Sequence, residues 1–270
     1  MIRAQPAPPR GGAALAALAS RLTDRDRQIA LACYEHRVLT SEQLRRLHFR
    51  AARTARERLQ ELRELRVLAS FRPALPAGQG SAPNHWVLDD AGALVVAAEL
   101  ELERAELRWR AQAALAIASS SKLAHQLAVN DFFTRLAADA AQAGGALERW
   151  WGERRSRNAL NGIATPDGYG RLRLPGHPAL ELLLELDRGT EDHGRLREKA
   201  RRYAKALPRS NLRDPLVLLL LPSSVRTARA AEALAASAAP IVIRTWTPEA
   251  GGSPLALLQD ARPVDSPAGW

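Results

Sequence analysis

Glu181-Leu182-Leu183-Leu184-Glu185-Leu186-Asp187-Arg188-Gly189-Thr190-Glu191 sets the class of the second half of the chain. A strand points successive side chains to opposite faces. Leu182, Leu184 and Leu186 therefore share one face, and Glu181, Glu185 and Asp187 share the other. Downstream, residues 194–207 carry a charged helical pattern, and residues 215–221 form the continuous apolar run of a strand buried on both faces. Residues 227–236 read as a helix and 241–246 as a strand; upstream, 147–157 and 169–174 read as strands, beside 179–187 itself. This alternation predicts a mixed α/β sheet over residues 119–247.

Toward the N-terminus the pattern becomes helical. From residue 119 a long amphipathic helix carries Leu123, Leu127, Phe132 and Leu136 and stops at Gly144-Gly145. Residues 89–109 read as helical, and 99–118 as a connecting helix. Thr23 is the N-cap of a first helix with a buried stripe at Ile29, Ala30, Cys33 and Tyr34. Thr40 and Gln43 have the spacing of a capping box that opens a second helix. A third covers residues 51–65, with Ala55, Leu59 and Leu62 on one face. Strands at 67–72 and 85–88 then flank a Pro- and Gly-containing loop, 73–83. Three helices followed by a hairpin is the order of a winged helix-turn-helix, placed at residues 21–98. Residues 1–20 read as a flexible arm and 248–270 as a loose tail.

In a winged helix-turn-helix the helix after the turn enters the major groove of DNA, N-terminal residues first. That segment here is Arg50-Ala51-Ala52-Arg53-Thr54-Ala55-Arg56, which offers Arg50, Arg53, Thr54 and Arg56 as contacts to base edges or phosphates. The competing reading is a solvated helix face in an arginine-biased chain, which Glu57, Glu61 and Glu64 support. Of 39 basic residues only Lys122, Lys199 and Lys205 are lysine, the signature of a GC-rich coding background. Charge distribution therefore says more than the net +10. Residues 1–70 hold 14 arginines against 7 acids, a local excess of +7. The expected partner is double-stranded DNA. No apolar run is long enough to span a bilayer, and no signal-peptide core opens the chain, so the expected location is cytoplasmic.

Two carboxylates spaced by two at a strand end repel unless a cation or a basic partner neutralises them. Asp167, in Thr165-Pro166-Asp167-Gly168, can add a further oxygen. Such a cluster can hold magnesium beside a phosphate and activate water. Alternatively, Glu185 and Asp187 pair with Arg188, Arg197 or Arg201 in a structural network; spacing leaves both open. Other chemistries lack their patterns. The six histidines show no HxH or HExxH spacing, and there is no glycine-rich phosphate loop. The lone Cys33 lies in an apolar stripe and reads as a buried structural thiol.

The string Pro166-Asp167-Gly168, a spacer, then Glu185-Leu186-Asp187-Arg188-Gly189-Thr190-Glu191 and a helix with Lys199 and Tyr203 resembles the replication-relaxation family. His125-Gln126-Leu127-Ala128-Val129-Asn130-Asp131 and Trp150-Trp151 resemble it too. Such proteins occur on plasmids and integrative elements of Gram-positive bacteria. The resemblance implies a winged helix joined to a restriction-endonuclease-like α/β domain, similar to the Mob-C class of mobilisation relaxases. It implies Asp167 and Glu185 as ligands of a magnesium or manganese ion. The nuclease pattern has lysine where this chain has Asp187, so the resemblance leaves Lys199 or Arg188 to supply the charge, or else a degenerate site that only binds. The expected catalytic set is Asp167, Glu185, Asp187 and Lys199. His125, Asn130 and Asp131 stand where such folds place an auxiliary acid, although a helix cap or hydrogen bond accounts for them equally. The function implied is DNA binding in replication or mobilisation, with metal-dependent nicking. The alternative is a non-enzymatic regulator or origin-binding adaptor. A homodimer and replication or conjugation proteins are the other candidate partners.

Overall fold

The computed structural model describes residues 12–73, 78 and 81–259, so the expected arm before residue 12 and the tip of the 73–83 loop lie outside the described residues. The chain divides into two compact units, one ending at Leu127 and the other starting at Ala128.

The first unit runs α1 (Gly12–Ala19), α2 (Asp24–His36), β1 (Leu39–Thr40), α3 (Ser41–His48), α4 (Ala52–Glu64), β2 (Leu68–Phe71), β3 (His85–Leu88), α5 (Asp90–Glu99) and α6 (Ala111–Leu115). Thr23 and Asp26 form a capping box at α2, with the Asp26 carboxylate accepting from the Thr23 amide at 2.8 Å. The fully buried Asp26 carboxylate also takes a fork from Arg58 of α4, at 2.9 and 2.5 Å, tying α2 to α4. Burial opposes its ionisation, but Arg58 and Thr23 outweigh that and hold its pKa below the ordinary value. The Thr40–Gln43 capping box is present in both directions, at 3.0 and 3.2 Å. Ala55, Leu59 and Leu62 are buried, as their spacing predicts. β2 and β3 pair antiparallel, and the two-residue β1 joins β3 on its other side, an extra strand that the sequence pattern does not announce. Cys33 is buried, and burial pushes its thiol pKa up to about 12.

Two expectations for this unit need correction. Residues 12–19 of the expected arm form α1, with Leu18 buried. Residues 99–118 are not one helix. Glu101 turns left-handed (φ 53°), and the amides of Glu101 and Leu102 bond back to Ala98 and Ala97, closing α5 with a Schellman motif. Turns, α6 and a 3-10 turn at Ala116–Ser119 follow.

The second unit takes in α7 (Leu123–Gln142) from Ala128 onward, then β4 (Ala146–Gly152), α8 (Glu153–Ala159), β5 (Gly168–Arg173), β6 (Leu180–Leu186), α9 (His193–Ala206), β7 (Leu216–Leu221), α10 (Ser224–Leu234), β8 (Ile241–Thr245) and α11 (Pro254–Gln259). The sheet order is β4-β5-β6-β7-β8; the first three strands are antiparallel, and β6, β7 and β8 are parallel. The mixed α/β expectation holds. Leu182, Leu184 and Leu186 pack into one core with Phe132 and Phe133 of α7. Leu183 packs into a second core on the opposite face, with Tyr169 of β5 and Tyr203 of α9.

Here too the sequence reading errs in places. The expected strand 147–157 ends at Gly152, which caps α8 in extended conformation; the two tryptophans favour strand, but the polar run after them is a helix. The long helix begins at Leu123 rather than 119. Within the expected loose tail, Pro254–Gln259 form α11, whose Leu255 and Leu258 join the first core, while residues 260–270 lie outside the described residues. Among the described residues no helix is long and apolar enough to cross a membrane.

Gly168 follows Asp167 and lies beneath the Phe133 ring, so a Cβ there would come within 2.6 Å of the ring's Cε2. Gly168→Ala must displace a fully buried ring. We expect it to lower stability by about 1–3 kcal/mol, measured by urea unfolding; an unchanged midpoint would show that the ring moves freely.

Candidate functional site

The strand register brings Asp167 and Glu185 together. Gly168 pairs with Leu184, and Asp167 continues the ladder one step further: its amide donates to the Leu184 carbonyl at 2.9 Å, and its Oδ2 accepts from the Leu186 amide at 2.8 Å. Glu185, on the neighbouring strand, is 4% exposed. Its Oε2 accepts from Lys199 Nζ at 2.7 Å, and its Oε1 accepts from the Tyr203 hydroxyl at 2.5 Å. Lys199 and Tyr203 are four apart on α9 and so lie on one face of that helix. Lys199 is also 2.7 Å from Glu191 Oε1, which makes it a bridge between two carboxylates.

The electrostatics follow from this packing. Burial, and then the Asp167 charge, push the Glu185 pKa up to about 7, against the opposing pull of Lys199 and Tyr203. Burial disfavours the Lys199 ammonium, yet Glu185 and Glu191 outweigh it and raise the lysine's pKa. Burial and the Glu185 charge raise that of Tyr203.

Asp187 shares the face of Glu185 but is engaged otherwise. Its Oδ1 accepts from the amides of Gly189, Thr190 and Glu191 at 2.8, 2.9 and 3.3 Å, and its Oδ2 from Arg226 Nη2 at 2.8 Å. Burial works against its charge, but Arg226 and those amides prevail and hold its pKa below the ordinary value. Asp187 thus shapes the turn out of β6. The salt-bridge network exists, but with Arg226 as the partner of Asp187; Arg201 pairs with Glu198, and Arg188 is exposed. Arg226 lies 39 residues from Asp187, and no local spacing rule reaches it. Glu181 sits at the other end of β6, against Arg171 and the Arg213 amide. Asp131 accepts from Arg135 Nε at 2.7 Å, one turn along α7.

Among the described residues no group of three or more His, Cys, Asp or Glu side chains is arranged to hold a metal ion. Asp167 and Glu185 supply a pair of oxygen donors. Magnesium commonly takes one or two carboxylates and completes its shell with waters and substrate phosphates. A pair of carboxylates could form only an open site of that kind and not a closed protein cage, and both Glu185 oxygens here accept from Lys199 and Tyr203.

In the first unit, Arg50, Arg53, Thr54 and Arg56 are all exposed around the start of α4. No side chain caps that helix, since Ala51 precedes it, and its first turn holds no acid. Arg53 pairs with Glu57 at 2.8 Å, but its side chain remains 87% exposed.

The sequence model of the replication-relaxation family matches residues 32–213, from within α2 to the approach to β7. The chain belongs to the replication-relaxation family. The match takes in both the basic start of α4 and the Asp167–Glu185–Lys199 cluster. No curated protein and no solved structure matches the chain.

Glu185 titrates near 4.5 ordinarily and near 7 when folded. A carboxyl with a raised folded pKa contributes stability that is present below the unfolded value and lost as pH rises through the folded one. Relative to Glu185→Gln, the wild type should lose up to about 3 kcal/mol of stability between pH 4.5 and 7. Urea unfolding of both proteins across that window checks this; a constant difference would contradict the raised pKa.

Proposed function

We propose that this replication-relaxation protein binds double-stranded DNA through α4 and acts in the cytoplasm in replication or mobilisation of a plasmid or integrative element. The observation that carries this reading is the acid-free, uncapped start of α4, with four exposed side chains able to meet DNA. The order α2, β1, α3, α4, β2, β3 supports a winged helix-turn-helix. In that arrangement α4 lies in the major groove, its free amides facing phosphate and its arginines facing base edges or phosphates. The exposed Arg53–Glu57 pair is worth little in water and exchanges readily for a phosphate. Changing Arg50 and Arg53 together to Ala should weaken binding to the element's origin by about 1–3 kcal/mol for each base-reading arginine removed. It should also lower the salt dependence by about one log unit for every phosphate no longer held. Wild-type affinity across a salt titration would show that α4 is not the reading helix.

A second reading, metal-dependent nicking, is favoured by the position of Lys199. The nuclease pattern calls for a positive charge beside the second acid; Asp187 cannot provide one, but Lys199 reaches Glu185 at 2.7 Å from the following helix. The order α7, β4, α8, β5, β6, α9, β7, with α8 inserted between the first two strands, supports a restriction-endonuclease-like unit. Asp167 and Glu185 would hold magnesium or manganese, which when bound stabilises developing charge on phosphate and lowers the pKa of its water. Lys199 holds positive charge at the Glu185 carboxylate, Tyr203 fixes the other oxygen, and Asp187 with Arg226 sets the turn that carries Glu191. Calorimetry with magnesium and manganese in the presence of origin DNA should show binding that Asp167→Ala and Glu185→Ala abolish, with nicking abolished alongside. No metal binding and no nicking by the wild type would leave the non-enzymatic adaptor.

A further inference from the structure

The second unit carries a basic edge that neither α4 nor the acidic cluster accounts for. Trp151, Tyr169, Leu183, Val217 and Ile241 form one row across the five strands. The next row on that face holds Glu185, Leu219 and Ile243, with Asp167 extending β5 beside Glu185. Rows two residues apart are separated by about 7 Å. α8 leaves the sheet at this same end, immediately after Gly152, which pairs with Gly168. Its Arg154, Arg155 and Arg157 are exposed, and Glu153 is the only acid in the helix. The Arg155 guanidinium lies 4.8 Å from the centroid of the Trp151 ring, which stacks on Tyr169 at 4.3 Å. Trp151 and Tyr169 pack into the same core as Tyr203, the partner of Glu185. Arg155 is thereby held on the face of the sheet that carries Glu185, and stacking spares much of the entropy of fixing an arginine.

A phosphodiester approaching Asp167 and Glu185 meets two carboxylates, and Lys199 is already shared between Glu185 and Glu191. We infer that α8 is a second DNA contact, in which Arg155 and Arg157 hold backbone phosphates of the strand presented to the Asp167–Glu185–Lys199 cluster. This rests on the DNA-binding reading above and adds a surface on the second unit to it. The contact is to phosphate and carries no sequence information, unlike that of α4.

The full-length chain tests this with Arg155→Gln plus Arg157→Gln, substitutions at exposed positions. Each phosphate held contributes about 0.9 to the slope of log affinity against log salt. The double variant should therefore lose about two units of slope while keeping its preference for origin sequence, and Arg155→Lys plus Arg157→Lys should restore most of the slope. A variant slope equal to wild type overturns the inference. Asn158→Cys, labelled with a photocrosslinker while Cys33 stays buried, reports independently of any arginine change. It should crosslink to bound DNA, and silence from it while the protein is DNA-bound also overturns the inference. A wild type that binds no DNA defeats the underlying reading instead. A loss of sequence preference in the α4 variant beside an unchanged α8 variant defeats this inference alone.

Discussion

Taking a carboxylate out of water costs several kcal/mol unless protein charges and hydrogen bonds replace the water, and β6 does this at Glu181, Glu185 and, one residue beyond the strand, Asp187. Each brings its own compensation. Glu181 draws Arg171 and the Arg213 amide, Glu185 draws Lys199 and Tyr203, and Asp187 draws Arg226 and three amides. These demands orient the elements around the strand. α9 must present Lys199 and Tyr203 to Glu185, and α10 must reach back with Arg226 to the β6–α9 turn. The leucines give each face of the sheet its apolar packing, while the acids set how the helices are placed over it. Glu191 joins the two parts, because its carboxylate holds Lys199 and its carbonyl accepts from Arg226 at 2.7 Å.

The first unit uses the same device on a smaller scale. Asp26 ties α2 to α4 through Arg58, and Asp89 ties the end of α4 to the start of α5 through Arg66, at 2.6 and 2.9 Å. Arg58 is turned inward by this pairing, which separates it from the exposed arginines at the start of the same helix. A basic helix in an arginine-rich chain is thus divided into a structural end and a solvent-exposed end, and the division follows from where the acids sit on neighbouring helices.

What the sequence discloses is what local rules govern. The capping box at Thr40, the leucine alternation of β6 and the glycine stop after α7 are all local, and all stand in the structure. Gly144 is left-handed, and the amides of Gly144 and Gly145 close the helix on Ala141 and Ala140. α4 and α5 end in the same way at Arg66 and Glu101, where no glycine marks the stop, and α8 ends at Asn161-Gly162. That is why the end of α5 is misplaced. α8 is hidden because Trp150 and Trp151 read as strand up to the residue where Gly152 caps a helix. The Asp167–Glu185 pairing needs the β5–β6 register, and the Asp187–Arg226 contact spans α9 and β7, so neither partner is given by spacing alone. Lys199 is legible as a charge on the next helix, but its bridge to Glu191 is not.

Lys199 also bears on how this chain can drift. Where coding background has made nearly every cation arginine, a lysine-to-arginine exchange is the change most readily offered. Lys122 and Lys205 are exposed and accept it with little effect. At Lys199 a compact ammonium sits 2.7 Å from oxygens of two different carboxylates. A guanidinium is longer and planar, with its donors fixed in a rigid fork rather than gathered on one small head. The exchange that is nearly neutral at two positions would force Glu185 and Glu191 apart at the third. Replacement there meets a geometric obstacle that the two exposed lysines do not present, whether or not the site performs chemistry.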